Sequence, residues 1–374
     1  MTPTRNVSVF PMMAIVLATA LALTLMGCWT SNPTKTGERS EGPTTEQLPL
    51  GSTLLKGAGA TFPSLLYKRW FSAYHDAHPS TFIRYEAVGS SEGVRRLLGT
   101  GVSAEESVDF GASDAAMSDS EIAQAGGNIL MIPATAGCVV LAYNLQGFTG
   151  LSLSRQAYAG IFLGEITTWD DPQIARSNPG VKLPHLAITT VVRQDGSGTT
   201  FAFTRNLDAI NEKWRSQFGP ATLVNWPGNA MRAVGNEGVA GLIEKSTGAI
   251  GYVGYEFARR IGLNYASLEN KEGKYTKPSE QSCAKALATA KMPENLRIFV
   301  PDPDGADSYP IVTFSWILLR RSYRDAQTAE EVVKLLRCSL DDGQRYAREL
   351  GYVVLPSEVV KKALAALDNI GPRA

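Results

Sequence analysis

An apolar, strand-like run that ends in a small-residue turn and opens into a helical pattern recurs along this chain, and it limits the fold more than any other feature. The sharpest instance joins Leu186–Val192, the octet Arg193-Gln194-Asp195-Gly196-Ser197-Gly198-Thr199-Thr200, and a helical segment from Phe201 to Leu207. Such a turn presents unpaired backbone N–H groups at the positive end of a helix dipole, which favours an anion. Ser197 and Thr199 add hydroxyl donors, and Arg193 can give an oxyanion two parallel hydrogen bonds. Alone, Asp-Gly-Ser-Gly is also ordinary turn chemistry. Two further junctions of the same kind raise its weight. Leu54–Lys56 runs into Gly57-Ala58-Gly59-Ala60-Thr61-Phe62-Pro63, with Leu65, Leu66, Phe71 and Tyr74 then at roughly helical spacing. Phe82–Val88 runs into Gly89-Ser90-Ser91, where Ser90 suits a helix N-cap or a ligand donor. A fourth turn, Ala112-Ser113-Asp114-Ala115, follows Val108–Gly111; its acid reads most simply as a cap or an Asx turn. Strands alternating with helices predict an α/β fold with largely parallel sheets, and ligands there bind beyond the carboxyl ends of the strands.

Charge narrows the choice of partner. The 374 residues carry 36 basic and 36 acidic side chains, so the basic excess of a nucleic-acid binder is missing. An anion site must therefore build its attraction locally. At the N-terminus, Arg5 precedes an uncharged run from Phe10 to Met26, which is short for a membrane span and fits an export signal better. Leu25-Met26-Gly27-Cys28 resembles a bacterial lipobox, which implies removal of residues 1–27 and a lipid on Cys28. Residues 29–50, rich in Thr, Ser, Pro, Gly and Glu, read as a tether.

Other features read as structure. Cys138 lies in a buried-strand pattern and is expected to pack as a small apolar residue; Cys283 and Cys338 could pair in an oxidising compartment. His75 and His78 stand at i, i+3, but without a third ligand they read as a solvated helix end, and no metal site is expected. Asp302, Asp304 and Asp307 lack the distal glutamate of a calcium loop. Ile132–Asn144 and Tyr309–Leu319 read as buried strands, and 328–340 and 356–368 as closing amphipathic helices.

Together the turns resemble the signatures of one family, the substrate-binding proteins of bacterial phosphate-specific ABC transporters. The similar stretches are 57–63, 89–91, 108–114 and 195–199, with Ile161–Ile166, Trp169–Pro172, Asn178–Gly180 and Gly248–Val253 in the same order, over about residues 52–370. The resemblance implies a two-lobed, Venus-flytrap fold of the type II periplasmic-binding-protein kind, with the ligand cleft between lobes. It implies phosphate contacts at Thr61, the Phe62 N–H, Ser90, Asp114, Arg193, Ser197, the Gly198 N–H and Thr199, with Asp195 orienting the arginine. Glu92 departs from the family, which often has glycine there, and would bring an acid near the anion.

The expected division is 52–143 plus 311–374 as one lobe and 144–310 as the other. Cys283 and Cys338 then fall in different lobes, so free thiols are expected. The resemblance also implies a monomeric, membrane-tethered partner of a permease and its ATPase subunits, with no cofactor. An enzyme fits less well. Asp195 and Thr199 occupy the glycine places of Gly-x-Ser-x-Gly, the Gly-Lys pair of a P-loop is missing, and the three histidines lie outside the turns.

Overall fold

A computed structural model describes residues 48–372; the export signal, Cys28 and most of the tether lie outside the described residues. The chain forms a mixed α/β sheet. Its principal strands are β1 (Thr53–Gly59), β2 (Thr81–Glu86), β3 (Phe110–Ser113), β4 (Ile129–Tyr143), β5 (Thr189–Arg193), β6 (Met231–Ala233), β7 (Ala249–Gly254) and β8 (Val312–Arg320). Their order across the sheet is β2-β1-β3-β8-β4-β7-β5-β6. β1 runs parallel to β2 and β3, β5 runs parallel to β6 and β7, and β8 and β4 form an antiparallel seam between the two groups.

β4 joins the groups. From Ile129 to Cys138 it pairs with β8, and from Val139 to Tyr143 with β7. All fifteen of its residues are buried, as expected of a near-continuous apolar run inside a covered sheet. Pro133 cannot donate to a ladder, and it sits where the β4–β8 register slips, with Ser315 opposite Thr135 but Trp316 opposite Pro133.

Helices follow the strands as the junctions anticipated: α1 (Ser64–Ala77), α2 (Ser90–Leu98), α3 (Gly198–Ile210) and α4 (Gly235–Lys245). The closing helices run Ala326–Leu340 and Ser357–Leu367. The loop at Asp302–Asp307 pairs its acids with Arg155, Lys271 and Lys285.

The cysteines correct the expectation. Cys283 is bonded to Cys138, with Cα atoms 5.6 Å apart, while Cys338 is free and exposed. Cys138 lies on β4, and Cys283 lies on the inward face of the helix Glu280–Ala288 that covers it. At a sequence separation of 145, only the packing of that helix brings the two together. The buried-strand pattern around Cys138 had concealed a partner.

Candidate functional site

The carboxyl ends of β1, β2, β3, β5 and β6 meet at one place, and each is followed by a small-residue turn. At the end of β1, Thr61 is buried and its Oγ1 accepts hydrogen bonds from Asn236 N (3.1 Å) and Nδ2 (2.9 Å). Phe62 turns its ring away against Tyr352, whose hydroxyl donates to the Phe62 carbonyl at 2.6 Å. Only the Phe62 backbone N–H, at the start of α1, can serve a ligand.

Ser90 begins α2 rather than capping it. The N-cap is Gly89, whose φ of 98° favours glycine. The freed Ser90 hydroxyl accepts from Gly198 N at 3.0 Å and from Asp114 N at 3.3 Å. Glu92, on the same first turn, is bound by Arg95 and Arg96. Hydrogen bonds from Arg95, joined by Arg96 and opposed by partial burial, hold its carboxyl down to about 2. Its charge is spent on those neighbours.

Asp114 follows β3 and caps no helix; the next helix is capped by Ser118. Its Oδ1 accepts from the Ser315 hydroxyl at 2.7 Å, and its Oδ2 lies 3.5 Å from Thr199 Oγ1. Burial pushes the Asp114 carboxyl up to about 7, against the pull of Ser315, Arg193 and Thr199.

Arg193 ends β5 and is only 2 % exposed. Its Nε donates to Asp195 Oδ1 at 2.8 Å and its Nη2 to Asp195 Oδ2. Its buried Nη1 has no hydrogen-bond partner. Burial pushes the Asp195 carboxyl up, but the Arg193 bonds and charge, with the Gly235 N–H, outweigh this and hold it below the ordinary range. Ser197 caps α3 by accepting from Thr200 N at 3.1 Å, which leaves its own O–H available. At Gly198 a Cβ would come within 2.6 Å of Asp114 Cβ and 2.7 Å of Ser90 Oγ. No side chain fits there.

Thr61, Phe62, Ser90, Asp114, Arg193, Ser197, Gly198 and Thr199 thus lie in one buried region, with Asp195 behind the arginine. Three residues there were not singled out from sequence. Asn236, at the start of α4, links Thr61 to Thr199 Oγ1 (3.1 Å) and accepts from Gly254 N. Ser315 reaches in from β8. Tyr252 receives the Arg193 N–H at 3.1 Å and pairs with the Thr200 hydroxyl at 2.8 Å. Gly235-Asn236 carries the same junction signal, but the strand before it is only three residues long. Four helix N-termini and one paired arginine therefore surround the site, which suits a dehydrated oxyanion.

Residues 35–336 match the PBP superfamily domain. The chain is similar to "Phosphate-binding protein PstS" of Xylella fastidiosa (strain 9a5c), 34% identical over 357 residues, covering 93% of this chain and 95% of that one. Its counterpart in Pasteurella multocida (strain Pm70) is 36% identical over 315 residues, covering 83% and 89%. A solved high-affinity periplasmic phosphate-binding protein, bound with phosphate, shares the two-lobed fold with a TM-score of 0.70 at 22% identity, covering 85% of this chain and 99% of that chain.

Proposed function

The chain belongs to the phosphate-binding PstS family of the PBP superfamily, and on that premise we propose that it binds inorganic phosphate as the substrate-binding component of an ABC importer. The observation that carries the reading is the buried guanidinium of Arg193. Asp195 fixes two of its nitrogens, and the third, Nη1, is buried with no partner. A buried charged donor left unpaired costs on the order of a few kcal/mol, so the arrangement favours an anion that takes it up.

The ligand contacts we assign are Thr61, the Phe62 and Gly198 N–H groups, Ser90, Asp114, Arg193, Ser197 and Thr199. Ser90 Oγ and Gly198 N bond each other across the cleft, and an anion entering between them takes over both groups. Asp114 supplies selectivity. Phosphate at neutral pH carries at least one proton and sulfate none, and an ionised carboxylate offers only acceptor sites. Phosphate can donate to Asp114, whereas sulfate meets it lone pair to lone pair. The protein binds and delivers; it performs no bond-breaking step.

The lobes we assign are 52–143 plus 311–374 and 144–310; the change of β4 partners between Cys138 and Val139, five residues before that boundary, supports a crossing on β4. Delivery places the protein outside the cytoplasm, as a monomer tethered through a lipid on Cys28, where it hands phosphate to a permease coupled to ATPase subunits. Calorimetric titration with phosphate, arsenate and sulfate tests the reading. At about pH 9, where Asp114 is ionised, phosphate and arsenate should bind alike and sulfate at least about a hundredfold more weakly. Absence of phosphate binding, or equal binding of sulfate, overturns it.

A further inference from the structure

Asp114 has two carboxylate oxygens, and the discrimination described above needs only one of them. The other is held by β8. In the antiparallel pairing of β8 with β3, Trp316 lies opposite Ser113, so the preceding residue, Ser315, falls beside Asp114. On its other edge β8 slips against β4, where Thr135 and Pro133 face Ser315 and Trp316 and Ala134 is left unpaired. A bulge of this kind re-aims a side chain. Ser315 is wholly buried, and its hydroxyl donates to Asp114 Oδ1 at 2.7 Å. Two residues earlier, on the same face of the strand, the Thr313 hydroxyl donates to Phe314 O at 2.8 Å and lies 3.3 Å from the Asp114 backbone carbonyl. β8 therefore holds the side chain of this residue through Ser315 and lies against its backbone.

We infer that Ser315 is a positioning residue that sets anion selectivity: it engages Asp114 Oδ1, turns Oδ2 toward the cleft, and keeps the carboxylate an acceptor. The inference rests on the selectivity role proposed for Asp114. Its physical basis is that a hydrogen bond donated to a carboxylate stabilises the charged form. Burial raises the Asp114 pKa, and the strongest opposing pull is the Ser315 hydroxyl, ahead of Arg193 on β5 and Thr199 on α3. Tyr67 on α1, Tyr85 on β2, Glu256 after β7, and Tyr352 also sense the Asp114 charge. The Asp114 charge disfavours ionisation of all four and none of them offsets its burial, so Arg193 and the two hydroxyls are what draw its pKa back toward the ordinary range. Without Ser315, Asp114 would take up a proton at higher pH and become a donor. A donor at that position serves an unprotonated oxyanion as readily as a protonated one.

The test is paired calorimetric titration with phosphate and sulfate, from about pH 5 to about pH 9, on wild type and Ser315→Ala, Ser315→Cys and Ser315→Thr. In wild type, sulfate binding should strengthen on the acid side as Asp114 protonates. In Ser315→Ala that rise should move up by about one pH unit, and at about pH 9, above both pKa values, the phosphate-to-sulfate ratio should fall about tenfold. Ser315→Cys, with a weaker donor of similar size, should fall between. Ser315→Thr keeps the hydroxyl on a side chain suited to a strand and should restore the wild-type profile. Should the alanine variant not fold, the cysteine variant carries the same test with a smaller shift. Parallel weakening of both anions with an unmoved pH profile overturns the inference and leaves Ser315 a packing residue. Wild type that binds sulfate as tightly as phosphate at about pH 9 overturns instead the role given to Asp114.

Discussion

The two sides of the cleft are built alike and charged differently. On one side the ends of β1, β2 and β3 present Thr61, Ser90 and Asp114; on the other, β5 and β6 present Arg193, Ser197–Thr199 and Asn236. Each side contributes two helix starts, those after Thr61 and at Ser90 on the first and those at Gly198 and Gly235 on the second, so each offers the positive ends of helices. Each side also carries one carboxylate, Asp114 fully buried and Asp195 partly so. Asp195 is bound by the guanidinium of its own side, so its charge is matched where it stands. Asp114 is held by hydroxyls, so its charge faces the cleft unmatched. The difference separates two tasks: attraction belongs to the Arg193 side and refusal to the Asp114 side.

Breaking the attraction should give the largest effect. Arg193→Met removes the buried cation and strands Asp195, and phosphate affinity should fall by about a thousandfold or more. Arg193→Lys keeps the charge but not the planar fork, so Asp195 and the ligand compete for one ammonium, and the loss should be about a hundredfold. Calorimetry on both variants decides; a methionine variant within about tenfold of wild type would place the attraction elsewhere. Breaking the refusal should have the next largest effect. Asp114→Asn can turn an N–H toward either anion, so sulfate affinity should rise by about a hundredfold while phosphate binding is kept. If sulfate remains as weak as in wild type, the comparison fails on its second side.

The attraction side was the more legible in sequence, and the reason is physical. Arg193–Thr200 is contiguous, so its strand, cation, acid, cap and helix start can be read in one pass. The other side is assembled from turns about 30 and 24 residues apart, 61 to 90 to 114, and only the shared junction pattern marks them. Legibility ended where contacts depend on sheet order. Ser315 reaches Asp114 because β8 lies beside β3, 201 residues away in sequence. Cys138 meets Cys283 because a helix covers β4. Ser90 showed the limit of local rules: a serine after glycine reads as a cap, yet Gly89 takes that place and frees the hydroxyl for the cleft.

Asn236 sharpens the comparison, because it bonds to both sides at once. Its Nδ2 donates to Thr61 and to Thr199, and its Oδ1 accepts from Gly254 N. Asn236→Ala removes the bridge while leaving the charges alone. Phosphate affinity should fall about tenfold and the phosphate-to-sulfate ratio should not change. A changed ratio would mean that discrimination is shared with this bridge.

A third carboxyl, buried like Asp114, tests whether an acid near the cleft must be held to be useful. Glu256, two residues beyond β7, is 2 % exposed, and neither of its oxygens has a hydrogen-bond partner. Burial pushes its carboxyl well above the ordinary range, and the nearby charge of Asp114 adds to this. A carboxyl whose folded pKa lies above its unfolded value favours the folded state fully at pH below the unfolded value, about 4.3, and that contribution is lost as pH rises toward the folded value. Glu256→Gln mimics the protonated form at every pH. Its melting temperature without ligand should match wild type near about pH 4 and exceed it by about 2 °C near about pH 8. Asp114→Asn should show the same sign, with the loss in wild type spread between about 4 and about 7. The two variants should separate on binding: only Asp114→Asn should change which anion the protein accepts. Were Glu256→Gln also to admit sulfate, refusal would come from the summed negative charge near the cleft, and the hydroxyl grip on Asp114 would not be what distinguishes its side.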